Sequence, residues 1–114
     1  RLILQPNIHA KAIREWALAN QWAIQDEVIL EEDGKVYEVL VLQRGEMKLT
    51  EAEILLGPKL MNAKTPVFVE KWSREIANWQ RVQQAIEQAG KTPENQAKHE
   101  ELSHLIKLVQ EAIA

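Results

Sequence analysis

The chain has 114 residues, 46% hydrophobic and 27% charged, with a net charge of -3: a soluble globular profile, with room for one modest core and at most an appendage. It contains no cysteine, which excludes a disulfide, a thiolate nucleophile and a zinc-thiolate site, and makes a reducing, cytoplasmic compartment the expectation. No apolar run approaches the roughly 18 residues needed to cross a bilayer, the N-terminal residues lack the order of a secretion signal, and the net charge offers no general attraction for nucleic acid.

Leu2-Ile3-Leu4 shows no polar alternation and stops at Gln5-Pro6-Asn7. Such a run reads as a short strand covered on both faces in a parallel sheet. Asn7 is placed to cap a helix from about Ile8 to Asn20, its side chain accepting from an otherwise unpaired N–H of the first turn. Ile13, Trp16 and Ala17 form the expected apolar face of that helix. From Trp22 the pattern becomes a hairpin, with Asp33-Gly34 supplying the positive φ angles of a two-residue primed turn. Pairing outward from the turn sets Leu30 opposite Tyr37 and Val28 opposite Val39 on an apolar face, with Ile29 opposite Glu38 and Glu27 opposite Leu40 on the other. A strand, a helix and an antiparallel hairpin make the closing part of an open α/β sheet.

After Arg44-Gly45 the strand signals end. Thr50 and Glu53 form a capping box for a short helix, and Gly57-Pro58 ends it. The stretch from Pro58 to Pro66 reads as a connector. Two longer helices follow, on the recurrence of Val69, Trp72, Ile76, Trp79 and Ile86, then of Leu102, Leu105, Val109 and Ala112. Between them Gly90-Lys91-Thr92-Pro93 reads as a terminal glycine, a Thr cap and a first-turn proline, a turn short enough to set the helices antiparallel. The expected domains are 1–46, the last strands and helix of a sheet, 47–66, a connector with short helices, and 67–114, a helical hairpin.

Charge is unevenly spread. From Gln25 to Glu38 the acids Asp26, Glu27, Glu31, Glu32, Asp33 and Glu38 accompany Lys35 alone, whereas from Pro58 to Arg81 Lys59, Lys64, Lys71, Arg74 and Arg81 outnumber Glu70 and Glu75. An anionic partner belongs on the later stretch. Lys59, Lys64, Lys71 and Arg74 are the candidate phosphate contacts, set against the plain reading of a solvated helix face. Gln5, Pro6 and Asn7 sit where open α/β sheets place ligands, at the C-terminal end of a strand. An Asn amide both donates and accepts, so it matches the edge of an adenine, although Asn7 as a simple helix cap is the plainer reading. His9, His99 and His104 show no ligand spacing, since residues five apart on a helix point in different directions, so no metal site is expected. Glu27 and Glu38 read as solvent-face charges with no catalytic role, and Trp72 and Trp79, a heptad apart on an apolar stripe, read as core.

Taken together, Arg1-Leu-Ile-Leu-Gln-Pro-Asn7, Ile13-Arg14-Glu15-Trp16, Asp26-Glu27, Glu32-Asp33-Gly34-Lys35, Val36-Tyr37-Glu38, Leu56-Gly57-Pro58-Lys59-Leu60 and Glu70-Lys71-Trp72 resemble the C-terminal half of the TrmK family. Its members are bacterial tRNA (adenine-22-N1)-methyltransferases that use S-adenosylmethionine. The resemblance implies a class I, Rossmann-like sheet with a C-terminal, coiled-coil-like helical extension. In that frame Leu2 to Gln5 is the fifth strand and the hairpin supplies the last two. The first four strands and the S-adenosylmethionine site are expected upstream of Arg1, so the chain alone is expected to be inactive. Gln5, Pro6 and Asn7 would line the substrate side of the cleft, and tRNA would run along Lys59, Lys64, Lys71 and Arg74. The alternative is a non-enzymatic module in which the helical hairpin binds a partner or a second copy of itself, and an exposed edge at Leu2–Leu4 invites self-association.

Overall fold

Asp33 and Gly34 both take positive φ, 53° and 77°, as a two-residue primed turn requires. They close a hairpin between β2 (Trp22–Glu32) and β3 (Lys35–Arg44). The computed structural model, which describes residues 1–6 and 10–114, pairs Leu30 with Tyr37, Val28 with Val39, Ile29 with Glu38 and Glu27 with Leu40. That is the register the turn dictates. Gln25 is the extra residue of a bulge, because Ile24 faces Leu42 while Asp26 faces Val41. The bulge shifts the alternation by one, so Ile24 and Glu27, three residues apart, are both buried.

Strand β1 (Leu2–Leu4) pairs antiparallel with β3, Leu2 opposite Leu42 and Leu4 opposite Leu40, giving the sheet order β1-β3-β2. The second strand of the hairpin therefore returns to the middle of the sheet. Only one face of β1 is covered here: Leu2 and Leu4 are half-buried, but Ile3 is 66% exposed. Coverage on both faces, expected from its unbroken apolar run, is not found among the described residues.

Helix α1 (Ala10–Ala19) lies over the sheet face that carries Ile24, Leu40 and Leu42. Ala10 and Ala17 are buried there, and Leu2, Leu4, Ile13, Trp22, Met47 and Leu49 pack around them. Each fully buried Leu or Ile in such a cluster contributes about 1.5 to 3 kcal/mol. Two expectations are corrected. Trp16 is 45% exposed, because the buried stripe of α1 runs through Ala10, Arg14 and Ala17, spaced four and three apart. The buried sheet face is also the one bearing Glu27, Ile29, Glu38 and Leu40, while Val28, at 45% exposure, lies on the more open side. Two carboxylates are tolerated on the covered face because α1 brings a guanidinium to them. The expected cap at Asn7 lies outside the described residues.

Thr50 closes the expected capping box: its side chain accepts from the Glu53 N–H, and the Glu53 side chain accepts from the Thr50 N–H. Helix α2 (Glu51–Leu56) follows and stops at Gly57. After it a second short helix, α3 (Pro58–Ala63), lies within the stretch expected to connect. Pro58 has its φ preset for a first helical position and no N–H to leave unpaired there. Lys64 ends α3 in the left-handed region, at φ 45°.

The last two elements are α4 (Pro66–Ala89) and α5 (Pro93–Ile113). The chain divides into two compact units, Arg1–Phe68 and Val69–Ala114. In the second, Thr92 caps α5 by accepting from the Asn95 N–H at 3.1 Å, with Pro93 in the first turn. The Gln83 side-chain amide donates to the His99 carbonyl at 3.1 Å and to Ser103 Oγ at 2.8 Å, and Glu87 meets the His99 ring at 3.1 Å. Gln83 and Glu87, one helical turn apart, meet α5 in reverse order, so α4 and α5 run antiparallel. Leu102, Ile106 and Val109 are the buried stripe of α5; on α4 Trp72 and Ile76 are buried while Trp79 and Ile86 are half-covered. No described helix is long and apolar enough to cross a membrane.

Candidate functional site

Arg14 is wholly buried, and its guanidinium ties neighbouring elements together. Nε donates to Glu27 Oε2 of β2 at 2.8 Å, and Nη2 to Glu38 Oε1 of β3 at 3.2 Å. Nη1 donates to the carbonyls of Ile54 and Leu55, both at 3.1 Å, at the C-terminal end of α2. The second carboxylate oxygen of Glu27 accepts the Lys59 N–H at 2.9 Å, at the start of α3. A cation therefore meets the carbonyl end of one helix and an anion the N–H end of the next, each the favourable sign for that end. Gly57, the residue between the helices, makes no side-chain cap; the carboxylate from the sheet satisfies that donor instead. A buried ion pair is tolerable only when hydrogen bonds occupy its remaining donors and acceptors; here four guanidinium N–H bonds and the Lys59 N–H to Glu27 do most of that.

Gly57 explains how close the approach is. A Cβ placed there would lie 2.5 Å from Arg14 Nη2 and 2.7 and 2.8 Å from the two Glu27 oxygens. Its φ of 99° is also one that residues with a side chain seldom adopt.

The residues singled out for substrate and RNA fall in three places. Gln5 is exposed and Pro6 half-buried directly after β1, at the end of the strand; Asn7 lies outside the described residues. Lys59, exposed on α3, and Lys64, at its C-cap, belong to the first unit. Lys71 and Arg74 are on α4 in the second. The Lys71 ammonium sits 4.8 Å from the centre of the Trp72 ring, and Arg74 pairs with Glu70 one turn away in an exposed contact. Among the described residues no cluster of three or more His, Asp or Glu is placed to hold a metal ion.

The Arg14 clasp escaped the residue-level reading of the sequence. Its signal was there: Arg14 falls in helical phase with Ala10 and Ala17, and Glu27 and Glu38 fall in strand phase with the buried Ile29 and Leu40. Three charged residues in phase with core positions on three elements are a pattern that one ion-paired cluster explains.

A model of the family described as TrmK: tRNA (adenine(22)-N(1))-methyltransferase matches residues 1–111. The tRNA (adenine(22)-N(1))-methyltransferase of Bacillus subtilis is 45% identical over 119 aligned positions, covering 99% of this chain and 50% of that protein. A crystal structure of the Bacillus subtilis M1A22 tRNA methyltransferase TrmK superposes with a TM-score of 0.92 at 44% identity, over 99% of this chain and 51% of that one. A crystal structure of Streptococcus pneumoniae Sp1610, a putative tRNA (m1A22) methyltransferase in complex with S-adenosyl-L-methionine, superposes at 0.78 with 34% identity, over 99% of this chain and 47% of that one. The chain thus spans about half the length of these relatives.

A strand, a covering helix and a hairpin whose second strand returns to the middle of the sheet make the closing end of a class I, Rossmann-like methyltransferase sheet. With the family match running over almost its whole length, the chain belongs to the TrmK family.

Proposed function

We propose that this chain is the C-terminal half of an S-adenosylmethionine-dependent methyltransferase that modifies N1 of an adenine in tRNA. The observation that carries this reading is the 45% identity to the Bacillus subtilis enzyme over 99% of the chain. The chain's glycines, Gly34, Gly45, Gly57 and Gly90, stand apart from one another, so it holds no glycine-rich turn for a nucleoside cofactor to approach. Most of the cofactor's contacts are therefore assigned to the half of the relatives' length that this chain does not span.

What this half would supply is position. Adenine N1 carries an unprotonated lone pair at neutral pH, so no base has to remove a proton before it attacks, and alignment lowers most of the barrier. Gln5, Pro6 and Asn7, at and beyond the end of β1, are the residues proposed to line the adenine side of the cleft. One experiment reads both parts. S-adenosylmethionine binds the full-length protein and not this chain alone; in the full-length protein Asn7→Ala keeps that affinity and lowers methyl transfer about tenfold, the loss of one aligned hydrogen bond. Cofactor binding by this chain alone would overturn the division, and unchanged turnover in the variant would take Asn7 out of the site. The mass of the isolated chain in the same samples tests whether the open edge of β1 pairs two copies; a monomer rules that out.

The tRNA backbone is proposed to run along Lys59, Lys64, Lys71 and Arg74. An exposed pair such as Arg74 with Glu70 is worth only about 0.3 to 0.5 kcal/mol, so a phosphate can displace the carboxylate. Reversing all four charges in the full-length protein lowers tRNA affinity and makes its salt dependence shallower, by about 0.7 to 0.9 in log–log slope for each phosphate no longer neutralised. An unaltered slope would remove these residues from the RNA interface.

A further inference from the structure

We propose that Glu27 is a positioning residue for tRNA binding, acting through the main chain of Lys59. This rests on the reading of Lys59 as a phosphate contact. Among the four basic residues named above, Lys59 is the one whose own backbone N–H is held by a carboxylate, Glu27 Oε1, at 2.9 Å. That carboxylate is itself fixed. Its side chain is 0% exposed, and its other oxygen accepts from Arg14 Nε at 2.8 Å. Gly57, two residues before Lys59, leaves no space for a side chain against the same ion pair, and Leu60, one residue after, is 4% exposed. The main chain around Lys59 is therefore seated from below on both sides while the lysine itself is exposed. A lysine ammonium rides on a flexible four-carbon stem, so the phosphates within its reach are set by where its Cα is anchored. Lys71 and Arg74 differ in kind: their main chain is held by the ladder of α4 itself, and their side chains meet an aromatic face and an exposed carboxylate.

The sign of the effect separates positioning from simple charge. Neutralising a carboxylate near bound RNA removes repulsion from phosphate, so on charge alone Glu27→Gln should tighten tRNA binding. Positioning demands the reverse. In the full-length protein, tRNA binding is measured across a salt series for Glu27→Gln, Lys59→Met and the double variant, with S-adenosylmethionine affinity as a parallel readout. Lys59→Met is expected to lower affinity and make the slope shallower by about 0.7 to 0.9. Glu27→Gln is expected to weaken tRNA several-fold and flatten the slope similarly, to leave cofactor affinity unchanged, and to add nothing in the Lys59→Met background. Glu27→Asp keeps the charge while drawing the carboxylate away from the Lys59 amide. It is expected to reproduce the loss, and it carries the test if the Gln variant fails to fold. Tighter or unchanged binding in the Glu27 variants, or an equal loss with and without Lys59, would overturn the positioning role. An unchanged slope in Lys59→Met would instead show that Lys59 does not meet phosphate at all, which is a failure of the underlying RNA reading.

Discussion

Arg14→Leu in the full-length protein lowers the stability of the first unit by about 3 to 5 kcal/mol, read from exchange of the β2 and β3 amides along a denaturant series. The size follows from what is left behind. Leucine fills much of the volume, but Glu27, with its side chain fully buried, loses the donor 2.8 Å away, and the carbonyls of Ile54 and Leu55 lose theirs. A buried carboxylate without its cation is among the few single defects large enough to threaten a domain of ordinary stability. Glu38 loses less, because its side chain keeps 10% exposure to water. The second arm of the experiment is Arg14→Leu with Glu27→Met, which removes both buried charges and should recover a good part of the loss; the two positions touch and are expected to couple. A cost below about 1 kcal/mol for the single variant would mean that the clasp does not hold these elements together.

This clasp marks the boundary of what could be read from the residues alone. Local chemistry was legible. Asp33-Gly34 dictated the turn and, through it, every cross-strand pair from Leu30–Tyr37 to Glu27–Leu40; Thr50 and Glu53 dictated one helix start, and Thr92-Pro93 another. What stayed hidden was the choice between the two faces of the hairpin. Val28, Leu30, Tyr37 and Val39 make the more apolar face by composition, yet α1 lands on the face with Glu27 and Glu38. What makes that face tolerable is Arg14, thirteen positions before Glu27 and on another element, which gives both carboxylates a partner. A burial rule that scores each residue by itself assigns all three to water, whereas the cluster as a unit is nearly satisfied. Trp16 fails for the same reason in reverse: helical phase gives its place to Arg14, leaving the larger apolar ring on the exposed flank.

The site divides in a similar way. The end of β1 at Gln5 and Pro6 was legible because an apolar run and a proline are local signals. The basic residues were legible as a stretch of composition but not as a surface. They fall in two compact units, and their restraints, an indole under Lys71, a carboxylate beside Arg74 and a buried anion beneath the Lys59 main chain, are tertiary facts.

The second large effect is expected at a residue with no side chain. Gly57→Ala should cost about 3 kcal/mol or more, from two separable sources. One is conformational: at φ 99° a side chain is strained whatever surrounds it, a penalty of order 1 to 3 kcal/mol. The other is steric: the new methyl would sit 2.5 Å from Arg14 Nη2 and within 2.8 Å of both Glu27 oxygens, groups held by hydrogen bonds that cannot give way without breaking. Gly34→Ala is the collision-free comparison, since Gly34 also has positive φ, 77°, but nothing lies within 4 Å of its would-be Cβ. The difference between the two variants then combines the collision with the ion pair and the harsher backbone conformation of Gly57, at φ 99° and ψ 124°. In the Arg14→Leu background that difference should shrink by the share due to the collision, because the nearest atom is gone and Glu27 is held by the Lys59 N–H alone. If Gly57→Ala proves no more costly than Gly34→Ala, the main chain between α2 and α3 can lift off the clasp, and the seating of Lys59 upon it fails as well.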